Sequence, residues 1–358
     1  MAALAAHLGL DDELAAQVGD RVVAKLQSAP IEDLRLDFED GYGVRDDAVE
    51  DAGATSAAHA VADALDAGSC PDFVGIRFKC FEEPTRRRGI RTLDLFIGAL
   101  LERAGGVPSQ LVLTFPKVST VSQVEAMVAV CESLEAAHGL AAKDLGFEIQ
   151  VETPQLILGS DGTAPLARAI HAGQGRVTSL HYGTYDYSAS LQISAAFQAS
   201  DHPAADHAKQ VMQLAVAGTG VHLSDGSTNV VPTGSPEAVR AAWELHAGLV
   251  TRALSRGFYQ GWDLHPGQLP TRYLATFAFY RAGYGAAATR LANYVSRSDS
   301  GVMDEPATAR ALARFLQRGH ACGAIDGAEL VSDVGLDAGQ IGALARPRSD
   351  TEGIRRSS

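Results

Sequence analysis

The chain has 358 residues, of which 46% are hydrophobic and 20% charged, and its formal net charge is −13. That balance suits a globular protein built as one large domain with an appendage, or as two domains, with ample length for a buried core. The acidic charge excludes the basic footprint of a nucleic-acid binder and disfavours anionic membranes as a partner.

Residues Met1 to Lys25 read as helical, with no strand before them. Short apolar runs then alternate with helical patterns. "DLRLDFED" (Asp33 to Asp40) precedes a helical stretch from Asp47 to Ala67, and "FVGIRFK" (Phe73 to Lys79) precedes one from Thr92 to Arg103. "LVLTFPK" (Leu111 to Lys117) leads into Val121 to Ala137. "FEIQVE" (Phe147 to Glu152) ends where Pro154, which lacks an amide proton and restricts Thr153, stops a ladder. "VTSLHYG" (Val177 to Gly183), "GVHLSDG" (Gly220 to Gly226) and "GFYQGWDLHP" (Gly257 to Pro266) follow, separated by helical Ala204 to Ala217 and Pro236 to Arg256. After Pro266 the patterns are all helical: Thr271 to Tyr284, Ala286 to Ser296, Pro306 to Arg318 and Asp326 to Asp333.

Strand–helix alternation over this length implies parallel strands with helical crossovers. No G-x-G-x-x-G follows a first strand and no G-x-x-x-x-G-K-[ST] occurs, so an open nucleotide-binding sheet loses support. The fold expected is an α/β (β/α)₈ TIM barrel. It has about seven strands where a closed barrel has eight, so the first strand is taken as missing. The expected organisation is a barrel over residues 1–269, a C-terminal helical extension over 270–345 and a disordered basic tail over 346–358. The extension would cover the barrel mouth or pack against another subunit.

Cys70, Cys80, Cys131 and Cys322 form no C-x-x-C pair and read as reduced thiols, which points to a cytoplasmic protein. No basic-then-apolar leader opens the chain, and no apolar run approaches the roughly 18 residues of a membrane span.

In a parallel barrel the chemistry sits at the C-terminal ends of the strands. Here those ends carry Asp37, Glu39 and Asp40, then Arg77 and Lys79, Lys117, Glu152, His181 and Asp186, Asp225, and finally Asp263 with His265. Each has a plain alternative: Glu152 or Lys117 as a solvated strand end, Arg77 as an ion-pair partner of Asp37 or Glu39, His181 or His265 as a packing histidine. Charge at nearly every strand end favours a site. Glu152 and Asp186 come from consecutive strands, and two carboxylates with waters are a typical setting for Mg²⁺. Arg77 offers a planar fork for a carboxylate. Together they would hold a 2-oxo acid and stabilise the enolate formed as a neighbouring carbon–carbon bond breaks or forms.

The same segments carry a family resemblance. "LRLDFEDGYG" is similar to the "LDLEDAV" segment of citrate lyase β-subunit-like (CitE-like) proteins, within the HpcH/HpaI aldolase and citrate lyase superfamily. "GIRFK", "FPKV", "VETP" and "YGTYDYSASL" resemble that family's arginine strand, "PKV" strand, "IET" strand and "G-x-x-D" segment. "VHLSDGSTNVV" and "GFYQGWDLHPGQL" resemble its "DGVY" strand and its "GFDGKWVIHPGQ" ending. The match runs in order from about Leu34 to Leu269.

The resemblance implies a carbon–carbon lyase or aldolase with Mg²⁺ (Mn²⁺ able to substitute) held by Glu152 and Asp186. Arg77 would grip the substrate carboxylate, with Lys117 and His265 as further substrate-binding residues. Glu39 and Asp40 would order the metal's waters or act as acid/base partners. The implied substrate is a small 2-oxo or hydroxy acid, and the family's habits imply a homo-oligomer.

Three departures stand out. The family's "R-S-x-L-x-V-P-G"-type first strand has no counterpart, in line with the strand count. The "DGKMID-x-PH" segment of CoA-thioester members is replaced by "CGAIDGAELVSD", which disfavours a CoA ester. Lys79 stands where an asparagine is common. A citramalyl- or malyl-CoA-type lyase and a non-catalytic acid-binding barrel are the alternatives.

Overall fold

The computed structural model describes residues 2–296 and 305–346. The chain opens with α1 (Ala2–His7) and α2 (Asp12–Ser28), the second capped by Asp11, whose side chain accepts from Leu14 N. Strand and helix then alternate as β1 (Asp33–Asp37), α3 (Asp47–Asp66), β2 (Phe73–Arg77), α4 (Arg86–Ala104), β3 (Leu111–Phe115), α5 (Val121–His138) and β4 (Phe147–Val151). Two short helices, α6 (Pro154–Ile157) and α7 (Pro165–Ala172), lead to β5 (Val177–Tyr182). After it come α8 (Thr184–Ser190), α9 (Pro203–Val216), β6 (His222–Asp225), α10 (Pro236–Ser255) and β7 (Gln260–Gly261). The remaining helices are α11 (Leu269–Ser296), α12 (Pro306–Ala321), α13 (Gly327–Val334) and α14 (Ala338–Ala345). The chain divides into two compact units, residues 31–229 with 256–264, and residues 1–30 with 230–255 and 265–358.

The first unit holds all seven strands, parallel and in sequential order from β1 to β7. Among the described residues this is an α/β barrel-type sheet of seven strands, as the alternation predicts. No backbone ladder joins β7 to β1 among the described residues; instead Gln260 Nε2 donates to Asp33 Oδ2. Strand alternation sorts the side chains. Ile76, Leu113, Phe115, Phe147, Ile149 and Val151 are fully buried on one set of positions, with Phe78 and Phe81 packed on Phe115.

The other set is polar, where barrels of this kind are usually filled by branched aliphatics. Glu148 accepts from Arg35 Nε at 3.0 Å, Ser179 Oγ at 2.8 Å and Thr114 Oγ1, and Arg35 also pairs with Asp33. Burial alone would raise the Glu148 carboxyl, but the groups around it, Arg35 foremost, together hold it below the ordinary range.

The second unit is helical. Val18 and Val22 of α2 pack with Leu274 and Phe277 of α11, Leu316 of α12, Leu330 of α13 and Ile341 of α14. Arg21 binds Asp326 at 2.6 Å, and Arg281 binds Glu329 at 2.9 Å.

Three local expectations are corrected. The two helices expected on either side of Gly285 are one continuous α11. Within α11, Gly283 is needed for packing, since a Cβ there would lie 2.6 Å from Phe315 Cζ of α12. Helix α4 starts at Arg86 rather than Thr92, and Gly89 in its first turns abuts the Lys79 carbonyl, where no side chain fits. Helix α14 was not anticipated. The expected tail, from residue 347 onward, lies outside the described residues. No helix among the described residues is long and apolar enough to cross a membrane.

Candidate active site

At the C-terminal ends of β1 to β5 a set of charged side chains converges within the first unit. Parallel register places Asp37 beside Arg77. Asp37 Oδ1 and Oδ2 accept from Arg77 Nε and Nη2, both at 2.7 Å, and also from Glu39 N and Gly41 N. Burial would lower the basicity of Arg77, but Asp37, with the charges of Glu39 and Glu152 behind it, raises it overall. The remaining nitrogen, Nη1, lies 3.5 Å from Gln150 Oε1 and 3.7 Å from Glu39 Oε2, with the Trp262 ring 5.7 Å from the guanidinium carbon. Both ion pairs weighed from the sequence therefore exist, and one nitrogen still faces the site.

Lys117 follows Pro116 at the end of β3 and adopts a left-handed backbone, φ 51°. Its ammonium donates to Glu39 Oε1 at 2.6 Å and Asp40 Oδ2 at 2.7 Å, and sits 3.8 Å from Asp186 Oδ1. Burial would lower the Lys117 ammonium, but Asp40 and Glu39 raise it above the usual lysine range. Glu39 is itself raised, first by burial. Asp40 is lowered: burial opposes the shift, and the bonds from Glu39 and Lys117 prevail.

Glu152, only 1% exposed, stands where Pro154 ends β4. Its carboxylate accepts from Lys117 N at 2.6 Å and from Gln150 Nε2 at 2.7 Å. Burial, and next the like charge of Asp186, push it up to about 8. Asp186, on α8, keeps a side chain 42% exposed. A Cβ at Gly183 would fall 2.5 Å from Glu152 Cβ and 2.7 Å from its Oε2, so only glycine leaves room beside this carboxylate.

Other expected residues have different settings. Lys79 Nζ binds Glu50 at 2.6 Å and the Phe38 carbonyl at 2.8 Å, and so steadies the β1–α3 loop that carries Glu39 and Asp40. Asp225 is paired with buried Lys209 at 2.9 Å. His181 bonds Ser224 at 3.0 Å and stacks on Trp262 at 3.9 Å; burial lowers it to about 3, so it is neutral. His265 belongs to the helical unit, where its Nδ1 accepts from Gly267 N and caps the turn Pro266–Gln268.

Sequence reading passed over Gln150, Trp262 and Gly183. The signal for the first two was available: Gln150 and Trp262 share the alternation of Glu152 and Gln260. The need for glycine at 183 depends on Glu152, which is distant in sequence.

Among the described residues no three His, Cys, Asp or Glu side chains form a ready cation cage. Glu152 and Asp186 offer oxygen donors alone.

The fold resembles that of solved citrate lyase β-subunit structures. CitE of Mycobacterium tuberculosis, in complex with magnesium, acetoacetate and coenzyme A, is similar with a TM-score of 0.51 at 18% identity, covering 83% of this chain and 94% of that one. Haloferax volcanii malate synthase in its lead(II) complex gives a TM-score of 0.49 at 16% identity, over 83% and 85%. At such identities the likeness is one of fold. The chain itself belongs to the family described as Domain of unknown function (DUF6986), matched over residues 1–349. No curated protein sequence matches it.

Proposed function

We propose that the protein is a Mg²⁺-dependent carbon–carbon lyase or aldolase acting on a 2-oxo acid, without a CoA thioester. One observation carries the reading: Glu152, Asp186, Glu39 and Asp40 gather around Lys117, and Arg77 lies 3.7 Å from Glu39. The donor chemistry fits the metal. Two carboxylates, one buried and driven up to about 8 partly by the other, are a pair that a hard dication would relieve. Gly183 keeps the space beside Glu152 clear. Glu152 and Asp186 would hold Mg²⁺, whose charge polarises a keto oxygen. The fold relative from Mycobacterium tuberculosis, which holds magnesium and acetoacetate together with coenzyme A, supports the metal assignment.

The side chains supply the rest. Arg77, fixed by Asp37, presents Nη1 to the substrate carboxylate. In cleavage of a 4-hydroxy-2-oxo acid, the hydroxyl proton passes to Glu39 or Asp40. The C3–C4 electron pair becomes the enolate, the aldehyde leaves, and C3 takes a proton to give pyruvate. Lys117 sets the charge of the two acids through its bonds to both.

The test is Mg²⁺-dependent release of pyruvate or oxaloacetate from a panel of hydroxy-oxo acids, with malyl- and citramalyl-CoA as a second arm. Release from a free acid that vanishes in Glu152→Ala supports the reading. Full activity in that variant, or turnover of CoA esters alone, overturns it.

A further inference from the structure

Gln150 is 4% exposed, on β4, two residues before Glu152 and on the same side of the strand. Its Nε2 donates to Glu152 Oε2 at 2.7 Å, while its Oε1 faces Arg77 Nη1 at 3.5 Å. A carboxylate accepts and a guanidinium only donates, so one orientation of the amide serves both neighbours. The other contacts of the two neighbours are fixed elsewhere. Glu152 Oε1 is bound to Lys117 N, and Arg77 Nε and Nη2 are bound to Asp37. The parts left to respond to a ligand, Oε2 of Glu152 and Nη1 of Arg77, are the two that Gln150 touches, with Nη1 also 3.7 Å from Glu39 Oε2.

We propose that Gln150 is a positioning residue that couples binding of a substrate carboxylate at Arg77 to binding of the divalent cation at Glu152; this rests on the lyase reading above. Fixing Glu152 fixes the amide, which aims Nη1 of Arg77, and the effect runs equally in reverse because coupling between two equilibria is reciprocal. An apolar side chain of similar length keeps the packing and deletes the link.

The test is calorimetric titration of pyruvate with and without Mg²⁺, and of Mg²⁺ with and without pyruvate, in wild type and in Gln150→Met. In wild type each ligand should tighten the other by about tenfold, within the usual span of such coupling. In Gln150→Met the mutual effect should fall to about twofold or less, with a native thermal melt. Gln150→Leu takes its place if that variant does not fold. Wild-type coupling in the folded variant overturns the role of Gln150 and leaves the lyase reading standing. Wild-type protein that binds neither ligand, or binds them independently, overturns both.

Discussion

Lys117 holds Glu152 through its backbone: its N–H donates to Oε1 at 2.6 Å from a left-handed conformation. The side chain of the same residue is free to serve Glu39 and Asp40 instead. One residue thus joins the buried carboxylate to the acid pair. The two contacts are separable by mutation.

Replacing Lys117 with Met keeps the backbone bond and removes a cation 3.8 Å from Asp186. Mg²⁺ should then bind at least about fivefold tighter, as expected for losing one like charge at that range even in water. Binding of an acid ligand should weaken. Calorimetry with Mg²⁺ alone and with pyruvate alone reads both; equal Mg²⁺ affinities would refute the electrostatic role.

Asp37→Asn removes the charge that grips Arg77 by two bonds. Bonds to charged groups contribute about 1.5–3 kcal/mol, so a corresponding rise in KM for the acid, about ten- to a hundredfold, is expected. Arg77→Lys loses the planar fork and should be at least as harmful. An unchanged KM in Asp37→Asn would mean that Arg77 needs no such support.

The raised Glu152 carboxyl has a signed pH consequence. In the folded protein it titrates near 8, against an ordinary value of 4.5. Its protonated form therefore contributes stability that is fully present below 4.5 and lost as pH rises through about 8. Mg²⁺ binding should release a proton below pH 8 and raise Tm more at pH 8.5 than at pH 6.5, values chosen to lie on either side of about 8. Glu152→Gln should abolish both effects.

His181 shifts the other way. Burial lowers it from 6.5 to about 3, so the unfolded chain takes up the proton first. The associated stability is present above 6.5 and lost as pH falls toward 3. His181→Phe, which can still stack on Trp262, should lose less Tm between pH 7 and pH 4.5 than wild type, these being points on either side of 6.5. A parallel acid profile in the two proteins would contradict this.

Glu135 at the end of α5 binds Arg176 at 2.5 and 2.8 Å and accepts from Leu145 N, tying the helix to the starts of β4 and β5. Leaving Arg176 buried without its partner should cost about 3–5 kcal/mol in Glu135→Ala. Replacing both partners by Met and Leu should cost distinctly less. Denaturant midpoints of the two variants make the comparison.

The alternation of apolar runs and helical periods was enough, by itself, to predict parallel strands with helical crossovers and a count of seven strands. Those properties are local: a period of two and a Pro after a strand act within a few residues. The seven quoted motifs also pointed to the citrate lyase β-subunit fold. Only tertiary structure decided that Asp37 saturates two nitrogens of Arg77, that Lys79 serves Glu50, and that Gln150 lies between Arg77 and Glu152. It likewise decided that residues 1–30 and 230–255 group with the C-terminal helices. Each of these depends on side chains tens of residues apart meeting at one distance, and in the sequence nothing but the folded register brings them together.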